Sequence, residues 1–313
     1  MPAQVITSPV VQIGVPDLVN SFLIGRSPGT MTAYSRDLED LRLWAGAASV
    51  QALTQSLIEA GPGAANLAVL RYRGELVQRQ LSPATVNRRL TAIRSLLTLA
   101  RTLGLITWGI EIEGVRRVAY RDTRGPGLTA VRRLVRAASE QGSVKAARDG
   151  AIIALLAGMA LRRAEVVSLD LGHWHSGQGV LAVLGKGQTE RLLMTVPVPV
   201  RKALDAWVAV RGQDPGPLFI SLDPARKGDG RLTGDGLYRS LGSLGSNIGV
   251  RVRPHGLRHT AITSALDLCD GNVRKVMKFS RHVSVETVLV YDDARSDVAG
   301  AVAEQVAAVA LGG

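Results

Sequence analysis

Apolar residues recur at helical spacing in the first third of the chain. In TMTAYSRDLEDLRLWA they occupy Tyr34, Leu38, Leu41 and Ala45, separated by four, three and four positions. Such spacing places apolar side chains along one face of a helix. The segment therefore predicts an amphipathic helix, with Thr30 as its N-cap.

The same spacing of apolar residues recurs in SPATVNRRLTAIRSLLTLARTLG, which predicts a second amphipathic helix. Ser82 is a suitable N-cap, Pro83 suits the first turn, and Gly104 suits the end of the helix. A further helix is predicted around residues 65–79. The apolar face of the second helix consists of Val86, Leu90, Ile93, Leu97 and Ala100.

These patterns divide the chain into two domains. Residues 1–14 lack a helical period and predict a flexible tail, whereas residues 15–108 predict a small all-helical domain. The stretch EGVRRVAYRDTRGPG combines four arginines with three glycines and a proline, so residues 109–127 are assigned to a basic linker. The second domain then covers residues 128–313.

The second domain is predicted to be mainly helical with one small antiparallel sheet. GVLAVLGKGQTERLLMTVPVP has two short apolar runs on either side of a glycine-rich turn, which is the pattern of a hairpin. AIIALLAGMAL is shorter than the roughly 20 residues of a membrane span, and predicts a buried core helix. Further helices are predicted at 198–211, 232–247, 254–268, 271–279, 284–291 and 296–311.

Composition narrows the class of partner. The 313 residues are 46% hydrophobic but only 4% aromatic, and the formal net charge is +12. This large positive net charge favours a polyanionic partner, and nucleic acid is the commonest partner of that kind. The single cysteine, Cys269, excludes an intrachain disulfide and suits a reducing compartment. We found no targeting segment, and therefore expect a cytoplasmic, nucleoid-associated protein with no membrane partner.

Two motifs place basic side chains next to apolar segments. In GMALRRAEVVSLDL, Arg162 either extends into solvent from a helix end or binds an anion, with Glu165 orienting it. In LGKGQTE, Lys186 is either solvated or a mobile proton donor at a hairpin tip. The glycine spacing around this lysine does not match a phosphate-binding P-loop. The two histidines of HWH (173–175) have metal-like spacing, yet no ligand partner lies near them in sequence, so no metal site is assigned.

Histidine, arginine and tyrosine side chains concentrate in the last sixty residues. RPHGLRHTAI sets His255 and Arg258 three positions apart, on one face of the predicted helix. In FSRHVSVETVLVYDD, His282 precedes Tyr291 by nine positions. By itself, each of these residues is also compatible with a surface or core role.

The order of these motifs resembles the tyrosine recombinase (phage integrase) family. The resemblance implies a SAM-like core-binding domain over 15–108, a catalytic domain over 128–313, and a C-shaped clamp around DNA. His259 and Glu165 resemble supporting residues. The resemblance assigns the catalytic roles to Arg162, Lys186, His255, Arg258, His282 and Tyr291.

The resemblance also implies a mechanism. A tyrosine attacks a DNA phosphodiester, leaving a 3′-phosphotyrosine and a free 5′-hydroxyl, and neither a cofactor nor a metal is required. The helix that follows the nucleophile docks onto the next protomer, which implies a homo-tetramer on double-stranded DNA with inverted half-sites. Two alternatives remain open from the residues: strand relaxation of the type IB topoisomerase kind, and a DNA-binding regulator without catalysis.

Basic residues in both domains and in the linker are the predicted phosphate contacts. These are Arg88, Arg89, Arg94, Arg116, Arg117, Arg121, Arg239, Arg274 and Lys275.

We predict that DNA binding depends steeply on salt, because each neutralised phosphate releases counterions. With ~6–10 phosphate contacts, raising salt from about 50 to about 200 mM weakens binding by roughly 10³-fold or more. Fluorescence anisotropy with a labelled duplex at several salt concentrations measures this slope. An affinity that does not change with salt would contradict the prediction.

Overall fold

The computed structural model describes residues 14–116, 125–185, 187–223, 225, 230–292 and 298–311. The chain divides into two compact units between Tyr120 and Arg121. Four features predicted from the sequence lie outside the described residues: the tail residues 1–13, Arg117, Arg121 and Lys186. Within the described part of the chain, no helix has the length and apolar character needed to cross a membrane.

The first unit is all-helical, as predicted. Of the apolar positions predicted for the first helix, Leu38 and Leu41 are buried, Tyr34 is partly buried and Ala45 is exposed, whereas all five predicted for the second helix are buried. The helices are α1 (Val15–Phe22), α2 (Pro28–Ala45), α3 (Val50–Gln78) and α4 (Pro83–Thr102).

The ends of these helices follow the predicted capping chemistry only in part. The hydroxyl of Ser82 caps α4 by accepting from the N–H of Thr85 at 3.3 Å, as predicted. The prediction of Thr30 as the cap of α2 is wrong, because Ser27 accepts from the N–H of Thr30 and the helix begins one turn earlier. The sequence also missed the first half of α3, which bends at Gly61 (φ 75°).

The described part of the predicted linker, residues 109–116, packs on the first unit. The side chain of Asn66 accepts from the N–H of Glu111 at 2.9 Å, and Asn87 accepts from the N–H of Val115 at 2.8 Å. Ile110 is buried in the same core. Polar side chains of α3 and α4 therefore hold the chain beyond the point where sequence placed the domain boundary.

The second unit combines helices with a three-stranded antiparallel sheet in the order β1-β2-β3. The predicted hairpin is present: Val180 pairs with Thr195 and Leu184 with Arg191. Its strands are β1 (Trp174–His175), β2 (Val180–Leu184) and β3 (Arg191–Thr195). Its helices are α5 (Gly127–Ser139), α6 (Ser143–Ile153), α7 (Arg163–Val167), α8 (Val198–Arg211), α9 (Gly234–Asn247), α10 (Pro254–Leu268), α11 (Val273–Ser280), α12 (Val285–Asp292) and α13 (Val298–Leu311).

The apolar run Ala151–Leu161 is buried as predicted, but it is not one continuous helix. Helix α6 ends at Ile153, and a π-helical turn covers Ala154–Gly158. The chain then passes through Ala160, whose φ is +49°. Because the helix is interrupted here, the chain emerges extended at Arg162 (φ −78°, ψ 151°) and points this arginine into a cavity.

Candidate active site

The predicted catalytic residues described by the structure line one cavity of the second unit. Its volume is about 1220 Å³, and its walls come from the loop before α7, the β-hairpin, α10 and the segment joining α11 to α12. The predicted residues that line it are Arg162, His255, Arg258, His282 and Tyr291.

Glu165 orients Arg162 through two hydrogen bonds. One carboxylate oxygen accepts from the backbone N–H of Arg162 at 2.8 Å, and the other accepts from its Nη1 at 2.7 Å. Glu165 is buried, which by itself raises the pKa of its carboxyl. The N–H of Arg162 and the charges of Arg281 and Arg162 outweigh this effect, so the pKa lies below its ordinary value. Glu165 is therefore a buried carboxylate anion that holds a cation at the cavity wall.

Arg281 is a cavity residue that the sequence analysis missed. Its Nη2 donates at 2.8 Å to the Glu165 oxygen that also accepts from the backbone N–H of Arg162, and at 3.1 Å to the carbonyl of Ala160. It thus shares the carboxylate of Glu165 with Arg162. The available sequence signal was weak: a basic residue at a helix C-terminus is common, and Arg281 directly follows α11.

Arg258 is buried at the centre of the constellation. Its guanidinium donates to the carbonyls of Ala160 and Ser280, the latter at 2.6 Å, and its Nη2 lies 3.1 Å from Nε2 of His282. Burial, together with the positive charges of Arg162 and Arg281, lowers the pKa of Arg258 to about 10. The group remains a cation at neutral pH.

His282 is neutral in this arrangement. A guanidinium only donates, so Nε2 of His282 is the acceptor from Arg258 and Nδ1 bears the proton. This Nδ1 donates to the hydroxyl of Ser280 at 2.9 Å. Burial, followed by the charges of Arg258, Arg162 and Arg281, lowers the pKa of His282 to about 4.

Tyr291 lies on α12 with its ring between two histidines. Its ring centroid is 4.7 Å from that of His259 and 5.6 Å from that of His282. The side chain is 6% exposed and lines the cavity. The phenol is thus held beside the cations rather than in solvent.

His255 stands in the first turn of α10, one turn before Arg258. His255 is exposed at the cavity, but the surrounding protein atoms partly desolvate its ring, and the charges of Arg258 and Arg162 lie nearby; both effects lower its pKa. An imidazole in this position is neutral at pH 7 and able to accept a proton.

His259, predicted to be a supporting residue, connects Tyr291 to the beginning of the second unit. Its Nδ1 accepts from the N–H of Gly125 at 3.2 Å. The next residue, Thr260, accepts from the N–H of Gly127 through its hydroxyl, also at 3.2 Å. The chain entering this unit is therefore bound to the helix that bears Arg258.

Comparison with known proteins identifies the family. Residues 129–297 match the phage integrase family, and residues 22–102 match the phage integrase N-terminal SAM-like domain. Tyrosine recombinase slr0733 of Synechocystis is 36% identical over 276 residues, covering 86% of this chain and 88% of that protein. Tyrosine recombinase XerC of Corynebacterium efficiens is 30% identical over 283 residues, covering 86% and 82%.

The chain belongs to the tyrosine recombinase family.

Solved structures show the same fold. The Tn1549 transposon integrase in complex with transposon right end DNA has a TM-score of 0.67 at 13% identity, covering 95% of this chain and 100% of that chain. A lambda integrase dimer bound to a COC′ core site has a TM-score of 0.65 at 12% identity, covering 91% and 97%. The recombinase therefore has the predicted fold, a SAM-like helical unit and a mainly helical catalytic unit with a small sheet.

Two predicted DNA contacts of the recombinase are paired inside the first unit. Arg89 binds Asp40 and lies 3.7 Å from Asp37, and Arg88 lies 3.0 Å from Asp37. Asp37 is buried on α2, where burial raises its pKa despite these cations. Arg89 is only 14% exposed, and its guanidinium faces these two carboxylates, so its contact with DNA stays a prediction. Arg94 likewise donates to the carbonyl of Ile112.

The other predicted contacts have exposed positions where the structure describes them. These are Arg116 after α4, Arg239 on α9, and Arg274 and Lys275 on α11. Among the described residues of the recombinase, no cluster of three His, Cys, Asp or Glu side chains is placed to hold a metal ion. In the HWH segment, Nδ1 of His173 accepts from the N–H of Asp170 at 2.8 Å.

We predict that Gly125→Ala slows DNA cleavage by the recombinase while DNA affinity changes little. A Cβ at Gly125 would lie 2.1 Å from Oγ1 of Thr260 and 2.4 Å from the carbonyl oxygen of Gly256. The entering chain must then leave α10, and the hydrogen bond to His259 beside Tyr291 is lost. A displacement of about 1 Å at a reacting group can cost roughly 10²-fold in rate.

The matched control is Gly150→Ala, on helix α6, where an added Cβ meets nothing within 4 Å. Single-turnover cleavage of a DNA duplex selected by binding from a random library measures both variants. Equal rates for the two variants would contradict the prediction.

Proposed function

We propose that this recombinase cleaves and rejoins DNA at specific sites, with Tyr291 as the nucleophile and a 3′-phosphotyrosine as the intermediate. The observation that carries the proposal is the position of Tyr291, whose ring packs on His282 and His259 at the wall of a cavity lined by Arg162 and Arg258. A phenol beside several cations suits attack on a phosphodiester, because the anionic substrate and the nucleophile meet at one place.

The covalent step balances without an external co-reactant. The bond from the Tyr291 oxygen to phosphorus forms as the bond from phosphorus to the 5′ oxygen breaks. The phenol proton passes to the neutral imidazole of His255, directly or through water. The departing 5′ oxygen receives a proton from Lys186, a role inferred from its place in the sequence since this residue lies outside the described residues. Attack by a 5′-hydroxyl of a second strand reverses the step and completes exchange.

Charge in the transition state is stabilised by groups already in place. Arg162 and Arg258 supply guanidinium donors for the non-bridging oxygens, and losing one such donor typically costs on the order of 10²–10³ in rate. His282 faces Arg258 with its lone pair in the described arrangement. A phosphate in the cavity raises the pKa of His282, because a nearby negative charge favours the imidazolium. The protonated ring, once turned away from Arg258, donates to the phosphate from Nε2.

The proposed substrate is double-stranded DNA with inverted half-sites, bound by four protomers on the nucleoid. This part rests on helix α13, which follows the nucleophile. Its apolar residues Val302, Val306 and Val309 are at least 50% exposed. Exposed apolar faces of this kind commonly mark protein–protein contacts. A second copy of the chain supplies such a contact, and the same contact repeats around a closed assembly.

We predict that Tyr291→Phe abolishes covalent trapping of DNA while DNA binding is retained. A phenylalanine cannot attack phosphorus, so cleavage falls by roughly 10³-fold or more. The substrate is a suicide duplex built from a binding-selected site with a nick near the cleavage point, and the covalent adduct is measured on a denaturing gel.

Tyr238→Phe is the matched control, since Tyr238 lines the same cavity. Trapping by Tyr291→Phe would overturn the proposal. Trapping by the wild type without any strand exchange between two sites would instead favour strand relaxation, and the absence of trapping would favour a DNA-binding regulator.

A further prediction concerns the assembly of protomers through α13. Deleting residues 296–313, or replacing Val302 and Val306 with Gln, is expected to abolish recombination between two sites and to leave half-site binding unchanged. The valines lie on one helical face, whereas Glu304→Gln alters another face of α13 and serves as the control. Recombination is measured on a plasmid with two sites. Unimpaired recombination after the deletion would contradict the docking role of this helix.

A further inference from the structure

Arg281 is largely buried where the segments bearing His282 and Arg162 meet, yet it is not one of the site residues predicted from the sequence. Its side chain is 11% exposed. Besides Glu165 and Ala160, its Nη1 donates to the carbonyl of Met159 at 3.2 Å. Those carbonyls belong to the loop that leads to Arg162, and Arg281 is the backbone neighbour of His282. One side chain therefore connects the segment bearing His282 to the segment bearing Arg162.

The backbone at Arg281 is unfavourable for an arginine. Its φ is +57° and ψ is 41°, the left-handed region that favours glycine. A residue that holds such a conformation at a site of chemistry points to a functional constraint. If only a helix end were needed here, glycine would serve at lower cost.

The side chain also adds positive charge to a group of cations. Arg281 accompanies Arg162 and Arg258, and burial without enough anions is costly. Glu165 meets part of this cost by accepting from both Arg162 and Arg281. Two arginines therefore hold the carboxylate of Glu165 in place, and the fixed carboxylate in turn fixes the orientation of the Arg162 side chain.

We propose that Arg281 is a positioning residue for DNA cleavage, which fixes Glu165 and hence Arg162, and ties the His282 segment to the same loop. The proposal rests on the proposed function of Tyr291. Arg281 acts through Glu165 and the two carbonyls and is not assigned a contact with the phosphate.

The experiment distinguishes a positioning role of the Arg281 side chain from a role in stability, and it uses the left-handed backbone at this residue. Arg281→Gly removes the side chain and relieves the left-handed strain, which offsets only part of the stability lost with the buried ion pair, so cleavage is measured well below the melting temperature of this variant. Single-turnover cleavage of the suicide duplex by saturating protein is expected to fall about 10²-fold. The dissociation constant for the same duplex without a nick is expected to change less than about threefold, because Arg162 and Arg258 keep their charges.

Two further variants complete the design. Asp270→Gly is the matched control: Asp270 also has a positive φ (+52°), is not among the residues lining the cavity, and should cleave at the wild-type rate. Arg281→Lys keeps the charge but lacks the planar fork needed to reach Glu165 and a carbonyl together, so it is expected to restore only part of the rate.

A wild-type cleavage rate in Arg281→Gly would overturn the proposal. A lower melting temperature, with cleavage restored to the wild-type rate on cooling, would overturn it as well by assigning Arg281 to stability alone. Failure of the wild type to trap DNA through Tyr291 would instead refute the proposed function, so the two failures are distinguishable.

Discussion

The catalytic unit depends on keeping several positive charges close together before any phosphate is present. Arg162, Arg258 and Arg281 converge on one cavity, and burial together with their mutual repulsion lowers the pKa of Arg258. Their attraction to Glu165 and to the carbonyl of Ala160 opposes this repulsion. The loop that presents that carbonyl exists because the apolar helix is interrupted by a π-turn and a left-handed residue.

A site built in this way is preorganised for an anion. The enzyme has already met the cost of desolvating and assembling the cations during folding, so charge that develops on phosphorus meets donors that need not reorganise. Burial, followed by the positive charges of the arginines, lowers the pKa of both His255 and His282 and keeps them neutral. In the proposed mechanism, one neutral imidazole takes the phenol proton, whereas the other becomes a donor when the phosphate supplies the opposing charge. The resting protonation states thus follow from burial and from the cations together.

Much of this architecture could be predicted from local sequence. Helical spacing located α2 and α4, and the ranges predicted for α8 and α10 agree with the structure. The features that local sequence did not predict depend on residues distant in sequence. The ion pairs of Arg89 join it to Asp37 and Asp40, some fifty positions away. Arg281 was missed for the same reason, since Glu165 lies 116 positions from it. Local periodicity predicts which face of a helix is buried. It does not predict which charged side chain, from a distant part of the sequence, contacts that helix.

This distinction bears on how a net charge of +12 is interpreted. The total identifies a polyanionic partner, yet it does not say which cations meet that partner. In the first unit, Arg88 and Arg89 pair with Asp37 and Asp40 and thereby hold α4 to α2. In the second unit, Arg162 and Arg281 share the buried carboxylate of Glu165 at the cavity, whereas basic residues on α9 and α11 are exposed. The partner of each arginine thus separates those that join two helices, those that line the cavity and those that extend into solvent.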